Sequence, residues 1–126
     1  MDCPIPVAAD ESAQGLEEVA GLKGRFDVVN IKLDKRGGLT EALLMLAEAR
    51  RLGLQVMVGN MIGTSLAMAP AFVLGQRCDL VDLDGPTFLA RDYPPGVRYV
   101  QGRMECADEV WGGSSRRTGC LPNGSG

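Results

Sequence analysis

Residues 27–58 read DVVNIKLDKRGGLTEALLMLAEARRLGLQVMV, and they carry the clearest alternation of strand and helix patterns in the chain. It opens with a short apolar run rich in β-branched residues, continues into a longer segment whose apolar residues recur at helical spacing, and closes with a second short apolar run. Two buried strands joined by one helix form a βαβ unit, in which the strands run parallel and the crossover is right-handed. The chain repeats this alternation on both sides of the unit.

The strand pattern occurs four times along the chain. Each segment is short, apolar or β-branched, and bounded by polar or glycine positions, as is typical of strands buried in a parallel sheet. The predicted strands are residues 5–9, 27–33, 55–58 and 80–83.

Helical patterns fill the intervals between these strands. Ser12 is placed to cap the first helix, the second runs from about residue 39 to Gly53, and the third covers about residues 65–76. Such a repeat fits a small doubly wound sheet or part of a (β/α)₈ barrel. An intact barrel takes roughly 250 residues. We therefore predict an α/β half barrel, in which about four parallel strands carry their helices on the outside.

Composition excludes several classes of site. The chain has 126 residues, with 13 Lys and Arg against 16 Asp and Glu, and it contains no histidine. Sites that need a Ser-His, Cys-His or His-metal arrangement are therefore excluded. The net charge of −3 and the lack of a basic stripe also argue against nucleic acid as the main partner.

Cysteine use and the amino-terminal residues indicate a reducing, cytoplasmic location. The sequence has no C-x-x-C pair, so we interpret its cysteines as free thiols, and its first residues do not resemble a secretory signal. Residues 56–75 carry no formal charge, but Asn60 and Pro70 interrupt the run, so no membrane span is predicted. The four cysteines are Cys3, Cys78, Cys106 and Cys120.

Polar residues gather where the predicted strands end. In parallel α/β folds the carboxyl ends of the strands meet at one edge, and ligands bind there. Strand alternation places Asn30 and Lys32 on one face, and likewise Asp82 and Asp84. A lysine and several carboxylates are therefore expected at one edge of the sheet.

Lys32 has two interpretations at this edge. A partly desolvated lysine can act as a general base, while a nearby carboxylate holds a divalent cation that stabilises an enolate. Alternatively, Lys32 pairs with Asp10 or Asp82 and only neutralises buried charge.

The other polar motifs also have two interpretations each. Asp10 and Glu11 can supply a metal ligand or form an acidic cluster at a helix N-terminus. Glycines 37 and 38 can cradle an anion or make a tight turn before the helix, and we favour the turn. Asp82 and Asp84 lack the later positions of a calcium loop, but they can bind a substrate ammonium group.

Four motifs occur in a fixed order along the chain. They are ADES at residues 9–12, NIKLDK at residues 30–35 followed by two glycines, VGNMIGTS at residues 58–65, and DLDGP at residues 82–86. In this order and at these gaps they resemble the later half of enolase-superfamily enzymes of the muconate-lactonising type. They are most similar to the dipeptide epimerases, including relatives that racemise N-acylated amino acids. The resemblance covers about residues 4–111.

The resemblance implies a role for each matching residue. Asp10 matches one of three carboxylate ligands of a catalytic Mg²⁺, and Lys32 matches the lysine that removes or returns the α-proton on one face of the substrate. Asp82 and Asp84 match an acidic pair that binds the free α-ammonium group of a dipeptide. Positions that match the lining of the substrate pocket are Asn60, Met61 and Ile62, and those that support the ligand and the lysine are Glu11 and Asn30.

The resemblance also implies parts that these 126 residues do not supply. In the family, a capping domain and the first barrel strands provide two more metal carboxylates and a second base, whereas only nine residues precede Asp10 here. The expected function is that of a fragment of a Mg²⁺-dependent isomerase that epimerises or racemises the α-carbon of a dipeptide or N-acyl amino acid through an enolate. The alternative is a catalytically inactive half-barrel remnant.

The predicted domain is the half barrel of residues 1–111, followed by a disordered tail at residues 112–126, which are rich in Gly, Ser, Pro and Asn. Four strands leave two open edges and an uncovered face. We therefore expect a homo-oligomer or pairing with the missing half of the barrel. The other expected partner is a small-molecule substrate, with no nucleic acid and no membrane.

Overall fold

Four parallel strands and three α-helices form the body of the chain in the computed structural model, which describes residues 3–35 and 37–111. The strands are β1 (Ala8–Ala9), β2 (Val28–Lys32), β3 (Gln55–Gly59) and β4 (Leu80–Asp82). The helices are α1 (Leu16–Val19), α2 (Gly38–Arg51) and α3 (Ser65–Gly75). Short 3₁₀ turns cover Ala20–Leu22, Gly85–Phe88 and Asp108–Trp111, and an antiparallel hairpin consists of β5 (Arg98–Val100) and β6 (Arg103–Glu105).

The four strands of the main sheet lie side by side in chain order, and every neighbouring pair is parallel. A doubly wound sheet reverses its strand order at a switch point. A (β/α)₈ barrel instead adds each strand next to the last. The topology therefore confirms the predicted half barrel and rules out the doubly wound alternative.

The face of the sheet that packs on the helices is aliphatic. Val29 and Ile31 of β2 and Val56 and Val58 of β3 are at most 1% exposed and belong to one core with α2 and α3. The buried helix residues of this core are Ala42, Met45 and Ala49 of α2 and Met68, Ala71 and Leu74 of α3. Removal of this apolar surface from water is the main force that holds the helices on the sheet.

The opposite face of the sheet carries the polar residues, because successive side chains of a strand point to opposite sides. Asn30 and Lys32 alternate with the core residues of β2, and their register partners on β3 are Met57 and Gly59. In a closed barrel this face is the interior. The strand pattern thus directs the candidate site residues toward the barrel interior.

Two aspartates at the amino ends of the strands make the same kind of hydrogen bond to the backbone of the neighbouring strand segment. The Asp27 carboxylate accepts a hydrogen bond of 2.9 Å from the backbone N–H of Val7. The Asp79 carboxylate accepts one of 2.8 Å from the N–H of Val56 and pairs with Arg50 at 2.7 Å. The hydrogen bond from Val56, together with Arg50, holds the pKa of Asp79 below its ordinary value. Each aspartate precedes its own strand and ties it to the strand before.

The first βα unit differs from the sequence prediction at two points. β1 has two residues, fewer than predicted, because Pro6 has no N–H to donate and Ile5 is 70% exposed. The predicted cap, Ser12, is wrong, since α1 begins at Leu16 and has no side-chain cap from its own sequence. The Leu16 N–H donates instead to the Glu41 carboxylate of α2 at 3.2 Å.

Two glycines make the turn into α2. Gly37 has a φ of 74° and Gly38 a φ of 61°, a region that favours glycine. A Cβ on Gly37 would also overlap the side chain of Glu41. The turn favoured by the sequence is therefore confirmed.

The predictions of no membrane span and of free thiols can be compared with the structure only for the residues that it describes. No helix within residues 3–35 and 37–111 is both long and apolar enough to cross a membrane. Cys3, Cys78 and Cys106 are free thiols, and burial raises the pKa of Cys78 to about 11. The predicted tail, residues 112–126, and Cys120 within it lie outside the described residues.

Candidate active site

An ion-paired cluster lies at the carboxyl ends of β1 and β2. Asp10 follows β1 directly and Lys32 is the last residue of β2, so parallel pairing brings them to the same edge of the sheet. Lys32 Nζ donates to Asp10 Oδ2 at 2.8 Å. This is the ion pair that one interpretation of Lys32 expects.

A second lysine, which the sequence reasoning assigned no role, completes the cluster. Lys35 Nζ donates to Asp10 Oδ1 at 2.9 Å and to the Asp10 backbone carbonyl at 3.1 Å. Lys35 reaches Asp10 because the chain turns after β2, with the Lys35 N–H donating to the Lys32 carbonyl at 3.2 Å. The signal for it in the sequence is the spacing of two lysines three residues apart at a strand end.

The two lysines control the ionisation of Asp10. Burial opposes the charged carboxylate, but the hydrogen bonds and charges of Lys32 and Lys35 outweigh it, so the pKa of Asp10 lies below its ordinary value. Glu11 is in a different environment, since its side chain is 87% exposed and its carboxylate lies 4.0 Å from Lys35 Nζ. Asp10 is therefore the acid enclosed by the cluster, and Glu11 is solvated.

Lys32, Gly59 and Asp82 form one row across three strands. Lys32 is in register with Gly59, and Gly59 is in register with Asp82. Neighbouring strands are about 4.8 Å apart, so the backbones of Lys32 and Asp82 are separated by roughly 10 Å. Gly59 puts no side chain between them, and a Cβ there would lie 3.0 Å from Asn30 Oδ1 and 3.4 Å from Lys32 Cε. The row thus leaves a gap between Lys32 and Asp82 that the Asn30 amide and the Lys32 side chain border.

The acid across the gap is one of a pair. Burial raises the pKa of Asp82, the nearby Asp84 carboxylate raises it further, and the charge of Lys32 acts in the opposite direction. Two close carboxylates disfavour each other's charge. A bound cation with several hydrogen-bond donors relieves this repulsion.

Two asparagines at this edge have unpaired polar atoms. The Oδ1 of Asn30 and both Oδ1 and Nδ2 of Asn60 are buried without a hydrogen-bond partner in the part of the chain that the structure describes. Gly85 packs so closely on Asn60 that a Cβ would overlap its amide. Since buried polar atoms are normally paired, these amides have hydrogen-bonding capacity that water or a bound group can use.

The loop after β3, which contains Met61 and Ile62, lies at the same edge of the sheet. Met61 and Ile62 are 56% and 68% exposed. The Met61 N–H donates to Asp34 Oδ2 at 2.9 Å, which ties this loop to the turn that carries Lys35. The residues predicted at the four strand ends are thus brought to one edge of the sheet.

The described residues do not by themselves form a magnesium site. Within residues 3–35 and 37–111, no group of three or more Asp, Glu or Cys side chains is arranged to hold a metal ion. Both carboxylate oxygens of Asp10 are engaged by lysines. Mg²⁺ requires a near-octahedral shell of oxygens, so a single engaged carboxylate does not fit it without further ligands.

Known proteins match almost the whole described chain. Residues 2–110 match the family model described as Enolase C-terminal domain-like. The chain is 45% identical over 112 residues to the N-acetyl-D-glutamate racemase of Pseudoalteromonas sp and 46% identical over 101 residues to the L-Ala-D/L-Glu epimerase of Escherichia coli K12. These matches cover 88% and 80% of this chain but 36% and 32% of the relatives. The chain therefore spans about a third of the length of these relatives.

Solved structures share this fold and carry ligands. An enolase family member from Agrobacterium tumefaciens with homology to dipeptide epimerases, with bound sodium and L-Ala-L-Glu, matches with a TM-score of 0.81 and 51% identity over 88% of this chain and 34% of that one. A dipeptide epimerase from Methylococcus capsulatus, complexed with Mg and L-Arg-D-Lys, matches with a TM-score of 0.72 and 33% identity over 79% of this chain and 30% of that one. The family model, the sequence identities and the shared fold together show that this chain belongs to the enolase C-terminal domain-like family of the enolase superfamily.

Proposed function

We propose that the chain supplies half of the active site of an isomerase that epimerises or racemises the α-carbon of a dipeptide or N-acyl amino acid. The observation that carries this proposal is the row of Lys32, Gly59 and Asp82, in which a lysine and an acid lie on either side of a glycine and the Asn30 amide borders the gap between them. The similarity to epimerases and a racemase supports the same reaction class.

Asp82 and Asp84 hold the free α-ammonium group of a dipeptide in this proposal. An ammonium has three N–H donors, and two carboxylates accept them in strong, charge-assisted hydrogen bonds. Consecutive α-carbons of a peptide are about 3.8 Å apart. If the dipeptide extends from the acid pair toward Lys32, the α-carbon of its second residue lies within the roughly 10 Å between the two backbones. An N-acyl amino acid has no such ammonium group and makes no use of this pair.

Lys32 moves the proton at its Nζ atom. The neutral amine accepts the α-proton of the substrate, and the charged form returns a proton to the same face. Asp10 keeps Lys32 in position, and Lys35 holds Asp10 from its other oxygen. Inversion at the α-carbon also needs a proton donor on the opposite face, which has to come from beyond the described residues.

Asp10 is proposed as one ligand of Mg²⁺. When bound, the cation stabilises negative charge that develops on the substrate oxygens. The described residues contribute only this one carboxylate, so the other ligands come from elsewhere in the barrel. The solved relatives with bound magnesium or sodium support a metal site in the family.

The remaining candidates are proposed to line or support the pocket. Asn60 offers unpaired amide atoms to the substrate, and Met61 and Ile62 offer exposed apolar surface to its side chains. Asn30 supports Lys32 from within β2, and Glu11 adds negative charge near Lys35.

The proposed partner beyond the substrate is the rest of a barrel, from the same polypeptide or from a second copy. The support for it is the pair of outer strands, β1 and β4, each of which has a neighbour on one side within the described sheet. A reducing, cytoplasmic location is proposed from the free thiols Cys3, Cys78 and Cys106.

A catalytically inactive half barrel is the second candidate. It is favoured by the incomplete metal site of the described residues and by the engagement of both Asp10 oxygens with lysines. In that case the cluster at the strand ends serves only to neutralise partly buried charge.

Replacement of Lys32 tests the proton transfer. In a barrel completed with the corresponding amino-terminal segment of a relative, we expect Lys32→Ala to slow α-proton exchange of L-Ala-L-Glu in D₂O by about 10²-fold or more, because the general base is removed. Proton NMR follows the exchange. The matched control is Lys23→Ala, at an exposed lysine before β2. Exchange that continues in Lys32→Ala at the rate of the control would overturn the assignment.

Replacement of the acid pair tests the substrate class. In the same completed barrel, we expect Asp82→Asn with Asp84→Asn to raise the KM for L-Ala-L-Glu by about tenfold or more, because the charged acceptors of the ammonium are lost. The KM for N-acetylglutamate should change little. Asp108→Asn, at an exposed acid of the last turn, is the control. Equal losses for both substrates would contradict ammonium binding.

Titration with Mg²⁺ separates the two candidate functions. A ligand that binds only the folded state raises the melting temperature. We expect millimolar Mg²⁺ to leave the melting temperature of the 126-residue chain unchanged and to raise that of the completed barrel by several degrees. The rise should disappear in Asp10→Asn. A completed barrel that shows no rise would favour the inactive half barrel.

A further inference from the structure

The hairpin of β5 and β6 reaches the acid pair through one hydrogen bond. The Tyr99 hydroxyl donates to the backbone carbonyl of Leu83. Leu83 lies between Asp82 and Asp84, and its side chain is buried, with 4% exposure. A contact from a separate sheet therefore holds the peptide that joins the two acids.

The acid pair is also held on its other side, by the 3₁₀ turn that follows β4. The Asp84 carbonyl accepts hydrogen bonds from the Thr87 N–H at 2.9 Å and from the Thr87 hydroxyl at 2.6 Å. The carbonyls of Leu83 and Asp84 are thus both engaged. The backbone is therefore held on both sides of the Asp84 α-carbon, at two consecutive peptide units.

Tyr99 is itself held in place from the start of α3. The buried Ser65 hydroxyl accepts a hydrogen bond of 2.9 Å from the Val97 N–H and donates to the Asp92 carboxylate. Asp92 also accepts the Ser65 N–H at 2.8 Å. Gly96 makes room for this arrangement, since a Cβ there would lie 2.8 Å from Asp92 Oδ2. The chain is therefore fastened to α3 two residues before Tyr99.

A raised pKa keeps the Tyr99 hydroxyl protonated, and therefore a hydrogen-bond donor. Burial raises the pKa of Tyr99 to about 12, and the negative charges of Asp84 and Asp92 act in the same direction. The charged groups that face Asp82 are Asp84 and Lys32. Because burial and Asp84 raise the pKa of Asp82, the titration of Asp82 reports how closely the two acids are held.

We propose that Tyr99 is a positioning residue, whose hydroxyl holds the Leu83 peptide so that Asp82 and Asp84 stay close enough to share one ammonium group of the substrate. The identity of the ligand rests on the proposed function. The hydrogen bond from Tyr99 to Leu83 does not depend on which ligand binds, because both residues lie in the described chain. Tyr99 acts through the backbone and touches no reacting atom.

The test replaces Tyr99 with phenylalanine in the 126-residue chain. Tyr99→Phe removes one oxygen and keeps the ring, and Tyr93→Phe makes the same change at a tyrosine that is 61% exposed. NMR follows the carboxyl carbons of Asp82 and Asp84 across pH, and circular dichroism checks that each variant is folded. We expect Tyr99→Phe to lower the titration midpoint of Asp82 by about half a pH unit or more, because the acids separate and become better hydrated. Tyr93→Phe should leave it unchanged.

A second readout measures the consequence for binding. In the completed barrel, we expect Tyr99→Phe to weaken the binding of L-Ala-L-Glu by about three- to tenfold and to leave the binding of N-acetylglutamate unchanged. An Asp82 midpoint in Tyr99→Phe equal to that of the unmodified chain overturns the positioning role, whichever ligand binds. A lowered midpoint with equal losses for both ligands supports the positioning role and contradicts the proposed ammonium site, so the two failures are distinguishable.

Discussion

The candidate site depends on one carboxylate, that of Asp10, held between two lysines. Lys32 engages one oxygen at 2.8 Å and Lys35 the other at 2.9 Å, and Lys35 also reaches the backbone of Asp10. β1 is only two residues long and pairs with β2 over those two residues. The ion cluster therefore adds a link between the carboxyl ends of β1 and β2 beyond this short pairing. Charges that are partly removed from water need such partners, because loss of one leaves the other uncompensated.

A missing side chain is as important as the charged ones. Gly59 stands in register between Lys32 and Asp82, and it puts no side chain of its own between them. The aliphatic residues of β2 and β3 alternate with this polar row and hold it on the helices. One strand pattern thus builds both the core and the site, with the core facing the helices and the site facing the barrel interior.

The sequence predicted the strands and helices that depend on a short-range pattern of apolar residues. The apolar runs and helical spacing located β2, β3, α2 and α3, because local periodicity and burial agree there. The prediction failed where groups far apart in the sequence determine the structure. The first N–H of α1 is capped by Glu41 from another helix, so Ser12 carried no information about where α1 begins. Lys35 was missed because its role depends on a turn that folds it back over Asp10. The link from Tyr99 to Leu83 joins two sheets, and no spacing in the sequence marks it.

The most direct test of the ion cluster is a double-mutant cycle between Asp10 and Lys32. Unfolding by urea at neutral pH, without added metal, would be measured for Asp10→Asn, Lys32→Met, the double variant and the unmodified chain. The side chains are partly exposed, at 36% and 16%, so we expect a coupling free energy of about 0.5–1 kcal/mol. Effects that add within about 0.3 kcal/mol would show that the two residues do not hold the strand ends together and would contradict the account.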